Sequence, residues 1–99
     1  MNNRSSRAGR TILQRTVIVV NQRGLHARAA ARFVKLAAGF DANVTVAKNG
    51  TEVSGLSIMG LMMLAAGPGT KIEIRAAGPD AAAALAALDA LIANKFDEE

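Results

Sequence analysis

The 99-residue chain has no cysteine, no tryptophan and no tyrosine, only two prolines, and a single histidine. Without cysteine there is no disulfide, no thiol nucleophile and no thiolate metal site. The absence fits a reducing compartment, and a cytoplasmic location is the expectation. One imidazole without thiols argues against a transition-metal centre, which ordinarily draws on several His or Cys ligands. Three phenylalanines are the whole aromatic complement, too little for base-stacking platforms. No apolar run nears the roughly 18 residues of a membrane span. The longest, IMGLMMLAAG, is interrupted by glycine, so no membrane association is expected.

What is present is mostly small. Of the residues, 51% are hydrophobic, but 21 of the 99 are alanine. A core must be built from a limited set of Val, Ile, Leu, Met and Phe. The length suits one domain without metal or disulfide staples. The net charge of +4 is concentrated at one end: Arg4, Arg7, Arg10 and Arg15 meet no acid in residues 1–15, leaving eight basic and eight acidic side chains beyond them. Residues 1–13 therefore read as a disordered basic arm, and 14–99 as one domain that is neutral overall. A basic face for nucleic acid is not indicated, although an interaction module using the arm is a competing reading. Such a module would bind in a salt-dependent way through residues 1–15.

Along the domain, TVIVV (Thr16 to Val20) reads as a strand. A turn at Asn21 to Gly24 leads to a helix from about Ala27, with Ala30, Phe33, Val34 and Ala37 on one face and Arg28, Arg32 and Lys35 on another. ANVTVAKNGTEVSG reads as a hairpin turning at Asn49-Gly50. SIMGLMML reads as a short helix capped by Ser57, and TKIEIRA as an alternating strand. The last helix is expected to open at Gly78-Pro79-Asp80 and to carry Leu85, Leu88, Leu91, Ile92 and Phe96 as its apolar stripe. The order βαββαβα, with a hairpin and one-faced alternation, points to an α+β fold, an antiparallel sheet with helices on one side.

His26 falls at or next to the cap position of the first helix. Unpaired N–H groups and the positive end of the dipole favour an anion there and disfavour imidazolium. A neutral imidazole can attack phosphorus, and the helix end can hold the transferred group. Arg28, in the first turn, is placed to bind phosphate oxygens, and Gly24 permits a sharp turn with close backbone approach. A lone histidine before a helix is also an ordinary cap or surface residue, and these residues by themselves leave both readings open. No serine lies on a GxSxG elbow that would make it a nucleophile.

GLHARAAARFVKLA nevertheless resembles the active-site segment of the HPr family, the histidine-containing phosphocarriers of the bacterial phosphoenolpyruvate-dependent phosphotransferase system. SGLSIMGLMMLAAGPGTKIEI resembles the family's regulatory-serine helix and following strand, at the matching spacing. The likeness covers about residues 14–96. It implies an open-faced β-sandwich, a four-stranded antiparallel sheet with three helices on one face. It further implies that His26 accepts a phosphoryl group on Nδ1 from Enzyme I and passes it to an EIIA-type protein, with Arg28 stabilising the phosphate and Gly24 supporting the turn. Ser57 matches the serine that HPr kinase/phosphorylase modifies in some bacteria. Ile58, Met59 and Met62 match the partner-docking patch, to which Arg32 would add a steering charge. No cofactor is implied, since the phosphoryl group comes ultimately from phosphoenolpyruvate, and the carrier would be a monomer and not by itself a turnover enzyme. The nitrogen-related regulatory branch (NPr-like) is the alternative within the family, whereas a corepressor-like member would lack the histidine. Two positions depart from the pattern: Ala29 stands where the family usually has proline, and Leu56 where it often has lysine or another polar residue.

Overall fold

The computed structural model describes residues 11–98. Four strands, β1 (Ile12–Ile18), β2 (Asn43–Lys48), β3 (Thr51–Ser54) and β4 (Lys71–Ala77), alternate with helices α1 (Ala27–Ala37), α2 (Ile58–Met63) and α3 (Ala81–Ala93). The strands form one sheet in the order β1-β4-β2-β3, and every adjacent pair is antiparallel. The α+β open-faced sandwich expected from the sequence is thus what the chain forms.

Alternation decides which face is covered. Val17 and Val19, Val44 and Val46, and Ile72 and Ile74 all point to the helical side and are buried with Phe33, Leu61, Leu85 and Leu88. The other face carries polar side chains. There the Arg75 guanidinium donates to Glu52 (2.9 Å), Glu73 (2.7 Å) and Gln14 (3.2 Å), tying three strands together. The hairpin turns at Asn49-Gly50, both with positive φ (51° and 84°), the conformation that favours this residue pair.

Two boundaries move from their sequence positions. Strand β1 starts at Ile12, four residues before TVIVV, so Ile12 and Leu13 leave the arm drawn as residues 1–13. They pair with Ala77 and Ala76 of β4. The ladder runs as far as β4 offers partners, although Ile12 and Leu13 are exposed and the intervening Gln14 and Arg15 break the apolar alternation. Of the rest of the arm, Thr11 is exposed and residues 1–10 lie outside the described residues. At the other end, Pro79 precedes the cap instead of opening the helix. The Asp80 carboxylate accepts from the Asp41 backbone N–H at 2.8 Å and does not cap α3. Helix α3 also stops before Phe96, which enters the core from a separate turn.

Helix α2 has only six residues, too few to persist alone, and it is held at both ends. The Ser57 Oγ accepts from the Gly60 N–H at 2.9 Å. Lys48 Nζ donates to the carbonyls of Leu64 (2.9 Å) and Ala65 (3.1 Å). Ser57→Ala and Lys48→Met are each expected to cost about 1 kcal/mol, read as a shift in urea midpoint with unchanged slope.

Candidate functional site

The site begins in the turn that follows β1. Asn21 is fully buried, and its Nδ2 donates to the Gly24 carbonyl at 2.8 Å. Gly24 has φ +66°, and a β-carbon there would stand 2.3 Å from the Ala66 carbonyl oxygen. The next residue, Leu25, donates its N–H to that same oxygen at 2.9 Å. Backbone therefore packs on backbone between this turn and the segment after α2, and only glycine fits.

His26 follows as the N-cap of α1, in extended conformation (φ −76°, ψ 179°). Its carbonyl accepts the first helical bond, from the Ala30 N–H at 2.9 Å. Its side chain makes no cap hydrogen bond, and no acidic residue lies in the first turn. The N–H groups at the start of α1 are thus left without a side-chain cap, which suits them to an anion. Ala29 adds one N–H to this set that a proline there would lack, and its side chain is fully buried.

The imidazole bonds through Nε2 to the carboxylate of Glu98. The other Glu98 oxygen accepts from Asn21 Nδ2 at 3.1 Å. Both partners of the Asn21 amide nitrogen are acceptors, so its orientation is set. Burial works against ionisation of Glu98, but the hydrogen bonds from His26 and Asn21 and the charges of His26 and Arg23 outweigh it and hold the carboxyl below its usual range. Glu98 reaches the histidine because the chain reverses after α3. Lys95, Phe96 and Asp97 form a left-handed turn (φ 57°, 55° and 61°), and the Phe96 side chain is fully buried. Arg32 donates from Nη1 to the Phe96 carbonyl.

Gln22, Arg23, Arg28, Arg32, Asp97 and Glu98 surround His26 in an open polar concavity of about 270 Å³. Of the residues singled out from the sequence, His26, Arg28 and Arg32 meet here, and Gly24 lies beneath them in the turn packed on Ala66. Arg28 is exposed, whereas Arg32 is half-buried and spends a donor on the C-terminal turn. Ser57, Ile58, Met59 and Met62 belong to α2 and its cap. Leu61 and Leu64 are its core side, while Ile58, Met59 and Met62 are exposed together with Leu56 and Met63, the last at 77%. Sequence reasoning missed Met63, whose place two residues after Leu61 turns it outward. It also missed Glu98 and Asn21, for neither of which a local pattern exists. Among the described residues no His, Cys, Asp and Glu side chains gather as a metal site requires, and no helix is long and apolar enough to cross a membrane.

Comparison with known proteins gives a consistent picture. Residues 13–94 match the family model described as the PTS HPr component phosphorylation site. The chain is 48% identical over 87 residues to the phosphocarrier protein HPr of Cupriavidus necator, covering 88% of this chain and 98% of that one. It is 46% identical over 88 residues to the phosphocarrier protein NPr of Shewanella violacea, covering 89% and 97%. Among solved structures, HPr from Thermoanaerobacter tengcongensis superposes with a TM-score of 0.84 at 40% identity, over 88% of this chain and 98% of that one.

Proposed function

The chain belongs to the HPr family and is a phosphocarrier of the phosphotransferase system, and on that premise we propose that His26 carries the phosphoryl group, on Nδ1, as a covalent intermediate. The observation that carries this reading is the placement of the chain's one imidazole at the uncapped N-terminus of α1, with Nε2 already engaged. An imidazole whose Nε2–H is held by a carboxylate presents its lone pair at Nδ1. The helix N-terminus and the guanidinium of Arg28 then supply hydrogen bonds and positive potential for the oxygens of the transferred group. Arg23 and Arg32 line the same concavity and add to that potential.

Enzyme I is the donor in this reading and an EIIA-type protein the acceptor, with phosphoenolpyruvate as the ultimate source and no cofactor. The carrier acts in the cytoplasm as a monomer. The partners dock on the exposed apolar side of α2, where flexible methionines adapt to more than one surface. Ser57 is the site of a regulatory phosphorylation by an HPr kinase/phosphorylase. A phosphate on its Oγ sits at the start of α2 and places negative charge beside the docking patch, opposing an acidic partner. The similarity to an NPr of nearly the same identity supports a second branch of this reading, in which the acceptor is a regulatory EIIA-type protein and not a sugar-transport one.

Intact-mass analysis after mixing with Enzyme I and phosphoenolpyruvate tests the central step. Wild type is expected to gain one acid-labile phosphoryl group and His26→Ala none. A folded wild-type protein that gains nothing overturns the assignment.

A further inference from the structure

We propose that Glu98 is a positioning residue for phosphoryl transfer: its carboxylate holds the Nε2–H of His26, fixes Nδ1 as the nucleophile, and balances the positive ring formed when Nδ1 takes the phosphoryl group. The inference rests on the reading of His26 as the acceptor and assigns the C-terminal turn a part in that reaction.

A neutral imidazole has one N–H and one lone pair, and an ionised carboxylate only accepts. Among the described residues, the Nε2 contact with Glu98 is the one hydrogen bond of the ring, which makes none to its own helix. The proton therefore resides on Nε2. In the transfer, the Nδ1 lone pair forms the N–P bond while the donor's bond to phosphorus breaks and its electron pair stays with the donor. The Nε2 proton does not move. The phosphorylated ring consequently carries a positive charge, and Glu98 faces it across the hydrogen bond. When the group passes on, the N–P electrons return to Nδ1 and the ring is neutral again. No separate base is needed in either direction.

The placement of this carboxylate is specified by the surroundings. Its second oxygen is held by Asn21, which is buried and also bonds the Gly24 carbonyl, so one amide fastens Glu98 to the turn that places His26. The His26 and Glu98 side chains are 18% and 15% exposed, sheltered enough that water does not screen the pair fully. Nδ1 and Nε2 are separated by Cε1 and point outward in different directions, so the carboxylate can pair with the ring without displacing the phosphoryl oxygens. Arg23, Arg28 and Arg32 offset its repulsion of the phosphoryl group, and Asp97 is the other acid of the concavity. The lowered ionisation range of Glu98 keeps the carboxylate charged through neutral pH.

The test compares wild type with Glu98→Gln and Glu98→Ala, changes near the chain end that leave the core intact. Phosphoryl uptake is followed by intact mass, with Enzyme I and phosphoenolpyruvate and separately with phosphoramidate, a small donor that needs no docking. Imidazole ¹⁵N spectra report which ring nitrogen bears the proton. Both variants are expected to slow uptake on the order of tenfold from either donor, as loss of a charge-assisted bond implies. In Glu98→Ala the Nε2 proton is expected to lose its protection from exchange with water. Equal or faster uptake by both variants from phosphoramidate, with unchanged ¹⁵N spectra, overturns the role of Glu98 while leaving His26 as the acceptor. Absence of uptake by wild type overturns the acceptor reading and this inference together.

Discussion

A Gly24→Ala variant is expected to lose on the order of 3 kcal/mol of stability and most of its rate of phosphoryl uptake. Two costs combine. The positive φ of +66° is one that a residue with a β-carbon adopts only against strain. The new carbon would also stand 2.3 Å from the Ala66 carbonyl oxygen and 2.9 Å from the Gly67 Cα. Neither is the end of a flexible side chain, so backbone has to separate. Separation pulls on the Leu25 to Ala66 hydrogen bond, on the Asn21 bond to the Gly24 carbonyl, and thus on the two supports of His26. Gly50→Ala isolates the first cost. Gly50 has φ +84° with open space around it, so about 1 kcal/mol is expected there, with uptake unchanged. Urea unfolding and intact-mass kinetics on the pair measure the difference. Equal losses in the two variants would mean that the turn before α1 yields easily and that contact with the segment after α2 does not place the histidine.

Much of the architecture was legible because strong periodicities carried it. The alternation in TKIEIRA matches the buried Ile72, Ile74 and exposed-side Glu73, Arg75 of β4. The Asn49-Gly50 pair marked its hairpin through conformations few other residues adopt. His26 was placed at a helix start by the switch from a glycine turn to helical spacing, and the cap is there. The weakest readings fell where side chains give little contrast. Helix α3 has six alanines among its first seven residues apart from Leu85, and alanine suits either a buried or an exposed position. Helical spacing alone therefore carries its stripe past Ala93 to Phe96. The buried position of Phe96 agrees with that stripe, but the backbone that delivers it is a left-handed turn, and nothing in Asn-Lys-Phe-Asp announces positive φ at three successive non-glycine residues. Glu98 escaped notice for a related reason. It is separated from His26 by 72 positions, and a contact of that range follows from how the chain ends, which no local spacing encodes. The same holds for Asn21, whose sequence marks a turn and whose side chain is in addition the bridge between Gly24 and Glu98.

Phe96→Ala is expected to cost about 3–5 kcal/mol, a large share of the stability of a small domain, and to release the histidine from its carboxylate. Phe96 is fully buried, and in αL conformation it carries strain, as do Lys95 and Asp97 on either side. Burying the ring is the main term offsetting that strain. Other ties of the turn include the Arg32 bond to the Phe96 carbonyl, the Asn94 to Asp97 side-chain bond at 2.6 Å, and the backbone bonds from Asp97 to Asn94 and from Glu98 to Lys95, both 3.0 Å. Each is of net value about 1 kcal/mol, less than burial of the ring contributes. Once the turn opens, Glu98 no longer reaches Nε2, so Phe96→Ala should combine a loss of stability in urea with the ¹⁵N signature of Glu98→Ala. Phe96→Leu retains much of the apolar volume and is expected to fall between the two. Because Glu98→Gln leaves the core untouched, slowed uptake shared by Glu98→Gln and Phe96→Ala belongs to the carboxylate, and only the loss of stability belongs to the ring. A Phe96→Ala protein that is destabilised yet still protects its Nε2 proton would mean that Arg32 and Asn21 hold the tail against His26 without help from the core.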